Sequence, residues 1–230
     1  VVDTRSLARA LAAPLRDRLL AFDVGPDDLL KSSDGAITAI EHQGCRIVAE
    51  HYVFACGAGL EVLGPMVGSP PVVRRPLEQV IVPLGPADPS VFAHIVRARL
   101  QPEPEATITT HSDGEDRAVL YVGGRIATRP PADRLDAVRE LISEALPGLG
   151  GASGDISTFA VDRIEPRRRT PSVTMHGNAT VCIPVKLTLV PAVADQVMAN
   201  LSGLTPTDRP WRGNRSDSGP QPIEYAAPPW

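Results

Sequence analysis

A short apolar strand that ends in Gly-x-Gly, preceded by a hairpin pattern, constrains the fold of this sequence more than any other feature. Residues 36–49 predict two strands joined by a Gln43-Gly44 turn. Residues 52–56 then form an uninterrupted apolar run that stops at Gly57-Ala58-Gly59. Such a run is typical of a strand buried on both faces of a layered sheet. Glycines at its end allow a sharp turn and the close approach of a ligand.

The order of these parts resembles the end of the nucleotide-binding domain in flavoproteins of the D-amino-acid-oxidase-like superfamily. There the hairpin precedes the last sheet strand, and the glycine-rich end of that strand passes close to FAD. The resemblance therefore implies FAD as the cofactor, with Ala55, Gly57, Ala58 and Gly59 as cofactor-binding residues. A strand ending in Gly-x-Gly also occurs in unrelated α/β proteins, and that alternative stays open.

The Gly-x-Gly-x-x-Gly fingerprint that holds a pyrophosphate at a helix start does not occur in the sequence. In the superfamily this fingerprint lies at the extreme N-terminus. The resemblance thus implies a fragment, the C-terminal two-thirds of a longer protein. The expected fold class is α/β (α+β): the remainder of an FAD-binding Rossmann-like domain, plus a mostly antiparallel substrate-binding sheet with flanking helices.

We expect four regions along the chain. They are the C-terminal part of the FAD-binding domain (1–72), the substrate-binding sheet (73–172), a return to the FAD-binding domain with its final helix (173–202) and a Pro/Gly-rich tail (203–230). Leucines at every fourth position from Leu7 to Leu19 predict an N-terminal helix with one apolar face, which Pro14 should kink or divide. A polar loop is expected over residues 23–34 and a crossover over 65–76.

The substrate-binding sheet is predicted from runs of apolar and alternating residues. The expected strands are residues 80–84, 91–100, 106–111, 117–122 and 156–164, with short strands at 173–175 and 179–183 after them. Residues 131–146 predict a helix, because prolines precede it, an apolar face runs along it and Pro147-Gly148 ends it.

Two residues of this sheet are candidate substrate ligands. Arg125 follows the pair Gly123-Gly124, and relatives carry a similar pair where the substrate sheet approaches the flavin, so the resemblance implies a carboxylate ligand. His111 is positioned to line a pocket. Each also has a plain structural interpretation, a solvated arginine at a sheet edge and an exposed histidine near a hairpin tip.

The last helix supplies the second group of candidate cofactor residues. In the superfamily its N-terminus points at the flavin, where the helix dipole and free amides stabilise negative charge. The resemblance places Lys186, Leu187, Thr188 and Leu189 there. The usual glycines of this turn are replaced by the string PVKLTL, and this departure leaves the close backbone approach open.

Composition excludes several other classes of protein. The net charge of -4 comes from scattered charges, so no basic stripe indicates nucleic acid or an anionic membrane surface. No apolar run is long enough for a membrane span. Three separated cysteines predict buried, reduced thiols in a cytoplasmic protein, and no metal-ligand spacing occurs. The run Arg167-Arg168-Arg169 is interpreted as a solvated loop.

The resulting hypothesis is an FAD-dependent oxidoreductase that removes hydride from an amine- or hydroxyl-bearing carbon of a small-molecule substrate. Catalytic residues are unknown, and such enzymes often need no protein base. One alternative is a non-catalytic binding or assembly module that keeps the substrate sheet without a complete nucleotide site. A second is an α+β domain unrelated to flavoproteins. The sequence does not define the oligomeric state.

Overall fold

The structure, a computed structural model, describes residues 4–20, 23–96, 104–113, 117–149 and 155–203. These residues divide into two units. The first contains residues 4–19 and 76–161, and the second contains residues 20–75 and 162–203. The crossings at 75/76 and 161/162 fall inside long strands. The domain boundaries expected from the sequence stay a prediction.

The described residues form helices and mostly antiparallel sheets, which confirms the predicted mixed α/β class. The α-helices are α1 (Thr4–Ala12), α2 (Leu60–Leu63), α3 (Pro131–Ala145) and α4 (Val190–Leu201). The strands are β1 (Leu29–Lys31), β2 (Ile37–His42), β3 (Cys45–Ile47), β4 (Tyr52–Phe54), β5 (Val72–Pro83), β6 (Phe92–Ile95), β7 (Ala106–Ser112), β8 (Ala118–Gly123), β9 (Ser157–Pro166), β10 (Ser172–His176) and β11 (Ala179–Ile183).

The first unit is built on a five-stranded sheet with strand order β6-β7-β8-β5-β9. Strands β6, β7, β8 and β5 pair antiparallel, with Ile108 opposite Val122 and Val80 opposite the same residue on the other side. One face of this sheet and the helix α3 enclose the core of the unit. Its fully buried members are Val80, Val82, Ala106, Ile108, Leu120, Val122, Ile126, Ala127, Val138, Leu141 and Ile142. The opposite face carries polar and aromatic side chains, among them His111, Tyr121 and Phe159.

The helices of this unit follow the sequence pattern with one exception. Helix α3 begins and ends within one residue of the predicted bounds. Helix α1 ends at Ala12, and the chain continues as a 3₁₀-helix that contains Pro14, as predicted. The apolar leucine face is not buried throughout, because Leu11 and Leu15 are 62% and 46% exposed. A periodic apolar pattern predicts a helix, but it does not show whether other residues cover the apolar face of that helix.

The second unit begins with a three-stranded sheet, β1-β2-β3. Its hairpin β2-β3 is confirmed, and positive φ angles at both Gln43 (47°) and Gly44 (77°) define a type I′ turn. The expected loop over residues 23–34 is wrong in part, because β1 lies within it and pairs with β2. The buried Leu29 opposite Ile40 stabilises this pairing, which the polar local sequence conceals.

The other sheet of the second unit has the order β10-β11-β4. Strands β11 and β4 are parallel, with Ala179 opposite Tyr52 and Val181 opposite Phe54. Asn178 joins this sheet to the hairpin, because its side chain accepts from the Ile37 amide (2.9 Å) and donates to the Ile37 carbonyl (2.8 Å). Its own carbonyl accepts from the Tyr52 amide at 2.8 Å. One asparagine thereby fixes where both segments start.

Burial in this sheet corrects the prediction for the apolar run 52–56. Strand β4 is only three residues long, and Val53 is 45% exposed between the buried Tyr52 and Phe54. The strand is therefore covered on one face only, and among the described strands it lies at the edge of its sheet. The run does not distinguish an edge strand from a central one. Strand β11, by contrast, is buried at all five positions, and α4 packs against β10 and β11.

Two further boundaries differ from the sequence analysis. Strand β5 begins at Val72, inside the stretch 65–76 that was expected to be a crossover, and it contains Pro76. Strand β9 extends to Pro166. The tail from residue 204 onward lies outside the described residues, as do residues 114–116 and residues 97–103, which include the end of the predicted strand 91–100.

The close packing around Gly124 can be tested by substitution. Its φ is 88°, and an added Cβ would lie 3.1 Å from the backbone of Pro104, Glu105 and Ala106. We expect Gly124→Ala to lower the free energy of unfolding by roughly 1–3 kcal/mol, from backbone strain and contact with rigid atoms. Urea unfolding measures this.

Gly148→Ala is the matched control, because nothing lies within 4 Å of its Cβ position and its φ is ordinary. It should change stability by less than about 1 kcal/mol, in the stabilising direction. Equal effects of the two substitutions would contradict the packing described for Gly124.

Candidate functional site

The parallel pairing of β4 and β11 brings two turns to the same edge of a sheet. Strand β4 is followed by Ala55, Cys56 and a 3₁₀-turn over Gly57–Gly59, and helix α2 begins next. Strand β11 is followed by Pro184, Val185 and Lys186, a 3₁₀-turn over Leu187–Leu189 and helix α4. Ligands of α/β sheets bind outside the carboxyl ends of parallel strands. The predicted cofactor residues all lie at this edge, which is the candidate site.

Gly57 provides an open position in the first turn. Its φ is 51°, and nothing lies within 4 Å of an added Cβ. A positive φ favours glycine, and the open space beside it leaves room for a ligand against the backbone. Gly59 differs, because its φ is -59° and its Cβ would approach Cys56 Cβ at 3.3 Å. The backbone conformation thus favours glycine at position 57, whereas at position 59 only a tight contact with Cys56 does so.

The second turn achieves a similar bend without glycine. Val185 has a φ of 63°, and the Lys186 amide donates to the Pro184 carbonyl at 2.7 Å. These two features define a γ-turn with a positive central φ, a rare and strained conformation. For a β-branched residue it costs on the order of 1–3 kcal/mol. Sequence reasoning missed Val185, since the signal it relied on for such a turn was glycine.

After this γ-turn the chain presents backbone donors. The Leu189 amide donates to the Lys186 carbonyl at 3.0 Å, so the cap of the helical turn is partly closed. Within the described part of the chain, the amides of Leu187 and Thr188 have no backbone acceptor, as is usual for the first residues of a helix. Lys186, Leu187 and Thr188 are exposed. The turn therefore combines two available amides with one cation.

Two thiols flank this edge. Cys182 is buried and its Sγ lies 3.6 Å from the Phe54 carbonyl, whereas Cys56 is exposed. The prediction of a buried thiol is thus wrong for Cys56, because β4 ends before it. Partial desolvation of its sulfur raises the pKa of the Cys56 thiol, and burial raises that of Cys182, whose pKa the neighbouring Cys56 raises further. Both thiols stay protonated near neutral pH, which makes them poor nucleophiles.

The open face of the five-stranded sheet holds the second candidate surface, within the first unit. The rings of His111 and Tyr121 stack with centroids 4.1 Å apart, and Tyr121 meets Phe159 edge to face at 5.9 Å. His111 Nε2 lies 2.9 Å from Thr109 Oγ1. The pKa of Tyr121 is raised well above its usual range by burial, and further by Asp113. His111 is therefore part of an aromatic surface with Tyr121 of the neighbouring strand β8 and Phe159 of β9.

The other candidate substrate ligand lies at the opposite end of β7 and β8. His111 is opposite Val119, whereas Arg125 follows the end of β8, where Gly123 is opposite Thr107. Four residues of strand separate these ends, or about 13 Å. Arg125 approaches Glu105 at 3.7 Å, and Arg129 contacts the same carboxylate at 2.8 Å. The structure therefore does not bring Arg125 and His111 together.

The Gly123-Gly124 pair has structural reasons of its own. An added Cβ on Gly123 would lie 2.8 Å from the Gln79 side-chain nitrogen, and Gly124 meets backbone as described above. Close contact with backbone therefore accounts for Gly124, whereas a side chain at position 123 would meet only the end of the flexible Gln79 side chain. Among the described residues, no cluster of three or more His, Cys, Asp or Glu is placed to hold a metal ion, and no helix has the length and apolarity to cross a membrane.

Comparisons with known proteins identify related chains. No protein-family model matches this sequence. The chain is 32% identical over 223 residues to the probable FAD-dependent oxidoreductase PA4991 of Pseudomonas aeruginosa, covering 90% of the chain and 56% of that protein. The crystal structure of PA4991 superposes with a TM-score of 0.78 at 31% identity, covering 90% of this chain and 60% of the other. This chain is a homologue of an FAD-dependent oxidoreductase.

A second solved structure has a similar fold at low identity. The L-amino acid deaminase of Proteus vulgaris, with its specific insertion sequence deleted, matches with a TM-score of 0.57 and 13% identity, over 81% of this chain and 47% of the other. At that identity the likeness concerns the fold alone. The similarity to PA4991 confirms the predicted resemblance to FAD-dependent oxidoreductases. The chain spans just over half the length of PA4991.

In this oxidoreductase homologue the turn after β4 has a positive φ at a glycine, whereas the turn after β11 has one at Val185. The strain at Val185 can be tested by substitution. Val185→Gly should leave the protein about 1 kcal/mol more stable than Val185→Ala, because glycine adopts a positive φ without penalty. Both variants lose the same contacts of a partly buried side chain with the core. Chemical unfolding of the two variants gives the difference.

The buried Val193 in α4 supplies the matched control. There the order should reverse, with glycine about 1 kcal/mol worse than alanine, as in any helix interior. If glycine is also the less stable residue at position 185, the γ-turn is not strained.

Proposed function

We propose that this chain forms part of an FAD-dependent oxidoreductase that removes hydride from an amine- or hydroxyl-bearing carbon of a small molecule. The observation that carries the proposal is the parallel pairing of β4 with β11, which gathers the Gly57 turn and the start of α4 at one sheet edge. The similarity to PA4991, 32% identity over 90% of this chain, supports FAD as the cofactor. Since the chain covers just over half of PA4991, the activity of the whole protein is part of the proposal.

The residues at the edge fit a large planar cofactor that needs close backbone contact. Gly57 has open space where a side chain would stand, and Ala55, Ala58 and Gly59 add little bulk. The amides of Leu187 and Thr188 would donate hydrogen bonds at a helix start, where the dipole favours negative charge. When bound, FAD would accept the electrons of the reaction. The chain supplies orientation and positive potential.

Substrate contact is assigned to the open face of the five-stranded sheet. His111, Tyr121 and Phe159 form an aromatic surface beside the hydroxyl of Thr109. Such a surface suits a small molecule with an apolar or aromatic part and one polar group. Arg125 is proposed to bind a carboxylate of the substrate, and it would do so while it also contacts Glu105.

A cytoplasmic location belongs to the same proposal. The three cysteines of the sequence are all free, and disulfides are rare in cytoplasmic proteins. The second candidate function is a non-catalytic binding or assembly module. It is favoured by one observation, the lack of a Gly-x-Gly-x-x-Gly fingerprint in the sequence.

Cofactor retention separates these two functions. Residues 1–230 purified alone should bind FAD weakly, because no pyrophosphate-binding turn is present in this sequence. Fusion to the part of PA4991 that the chain does not match should restore flavin absorbance close to one equivalent. Stoichiometric flavin in the isolated chain would contradict the first expectation.

Gly57→Val in the same fusion is the matched test of the edge, and it should reduce the bound flavin because the side chain fills the open space. Gly148→Val, outside this edge and with nothing within 4 Å of its Cβ position, is the control and should retain more flavin. A fusion that folds but stays colourless would favour the non-catalytic module.

The charge of Lys186 gives an independent measurement on the flavin-loaded fusion. Lys186→Met removes the one cation of the turn, so the cofactor should become harder to reduce. A fall of some tens of millivolts is expected, since about 30 mV corresponds to roughly 1.4 kcal/mol for two electrons. Lys31→Met is the control: Lys31 Nζ donates to the Met66 carbonyl, and the sequence holds no third lysine. An unchanged potential in Lys186→Met would remove this residue from the site.

A further inference from the structure

A row of polar residues crosses the open face of the five-stranded sheet. In this polar row His94 of β6 is opposite Thr107 of β7, and Thr107 is opposite Gly123 of β8. Gln79 of β5 completes the row, since its side-chain nitrogen lies 2.8 Å from the position of an added Cβ on Gly123. Gln79 precedes the core residue Val80, so the row lies on the face away from the core.

The polar row lies beside the aromatic surface formed by His111, Tyr121 and Phe159. Two positions away along β7 and β8, Thr109 is opposite Tyr121, whose ring belongs to that surface. On the other side Tyr121 is opposite the buried Ile81 of β5. Two residues of strand correspond to about 7 Å. A small molecule with a ring at one end and a polar group at the other spans this distance through a short aliphatic linker.

Gln79 is the member of the polar row that is available to a ligand. Its side chain makes no hydrogen bond within the part of the chain that the structure describes, and the residue is half-buried. Thr107 differs, because its Oγ1 lies 3.1 Å from His94 Nδ1. Since Gly123 has no side chain, the Gln79 amide lies directly against the backbone of β8. A carboxamide provides both N–H donors and an acceptor oxygen, so a ligand here gains hydrogen bonds without breaking existing ones.

The chemistry of the polar row favours an uncharged ligand group. Its polar side chains are an amide, a hydroxyl and an imidazole, and none of them has a fixed charge. The cation that follows the row along the chain, Arg125, lies 3.7 Å from the Glu105 carboxylate, which offsets its charge. An ionised group at Gln79 would therefore lose hydration without gaining an opposite charge. A neutral group that donates to Gln79 Oε1 and accepts from Nε2 does not have this cost.

We infer that Gln79, placed against Gly123, determines substrate specificity by binding an uncharged polar group of the substrate, such as a carboxamide or a hydroxyl. The ring of the same molecule packs on the aromatic surface, so the substrate class is an arylalkyl compound with a neutral polar end. This inference rests on the proposed function, because it assigns a substrate class to the face that was proposed to contact the substrate. Gln79 positions the ligand and has no part in electron transfer.

Nuclear magnetic resonance titration of isotope-labelled residues 1–230 with hydrocinnamamide tests the site without flavin. We expect a dissociation constant of about 1 mM, with shifts of the Gln79 side-chain amide and the Gly123 backbone amide. Hydrocinnamate has the same shape but a carboxylate end, and it should bind at least about threefold more weakly. Propionamide lacks the ring and should bind at least about tenfold more weakly.

Gln79→Leu is the test variant, because leucine has a similar size and cannot form either hydrogen bond. Affinity for hydrocinnamamide should fall about tenfold, and the preference over hydrocinnamate should disappear. Gln196→Leu makes the same substitution at an exposed position of α4 and should change affinity by less than about twofold. Gly123→Ala places a Cβ where the Gln79 amide lies, so it should also weaken binding, while only a flexible side chain has to move.

Two results would overturn the site. One is equal binding of hydrocinnamamide and hydrocinnamate by the unaltered chain, and the other is equal affinity of the Gln79→Leu and Gln196→Leu variants for hydrocinnamamide. Failure of this inference is distinguishable from failure of the oxidoreductase function, because the titration needs no flavin. A fusion that binds flavin while the chain ignores hydrocinnamamide would contradict the site alone. A colourless fusion whose chain binds hydrocinnamamide through Gln79 would contradict the oxidoreductase function and support the site.

Discussion

The parallel pairing of β4 with β11 is the interaction on which the candidate cofactor site depends. Parallel neighbours cannot be joined by a tight turn, so the chain must leave the sheet and return. It forms β5 to β10 before β11 closes the pair. Asn178 fixes the starting position by binding both Ile37 and Tyr52. Because the two strands run the same way, the turns that follow them reach one edge together.

The turns that follow β4 and β11 bend the backbone at that edge in different ways. Gly57 takes a positive φ at little cost, whereas Val185 takes one against the preference of a β-branched side chain. Strain of this kind persists only when the surrounding structure holds it, and it concentrates at ligand sites. Here the fully buried β11 on one side and the helical turn before α4 on the other hold Val185 in place.

Several ion pairs in this protein follow strand geometry rather than nearness in sequence. Arg74 and Arg75 are consecutive, but their side chains lie on opposite sides of β5 and contact different carboxylates. Arg125, a candidate for a substrate carboxylate, contacts Glu105 instead. The sequence identified these residues as charged and exposed. It did not identify their partners, because each partner comes from a different strand or loop.

The sequence by itself determined the local elements: the type I′ turn at Gln43-Gly44, the helix α3, the hairpin around Gly177 and the glycine turn after β4. Each depends on propensity and periodicity within a few residues, and these act before the chain is folded. The tertiary structure alone decided that β4 is an edge strand with Val53 exposed, that Leu11 and Leu15 stay uncovered, and that Glu165 gathers three arginines. These outcomes depend on which distant segments pack together, since burial and ion pairing are properties of neighbours in space.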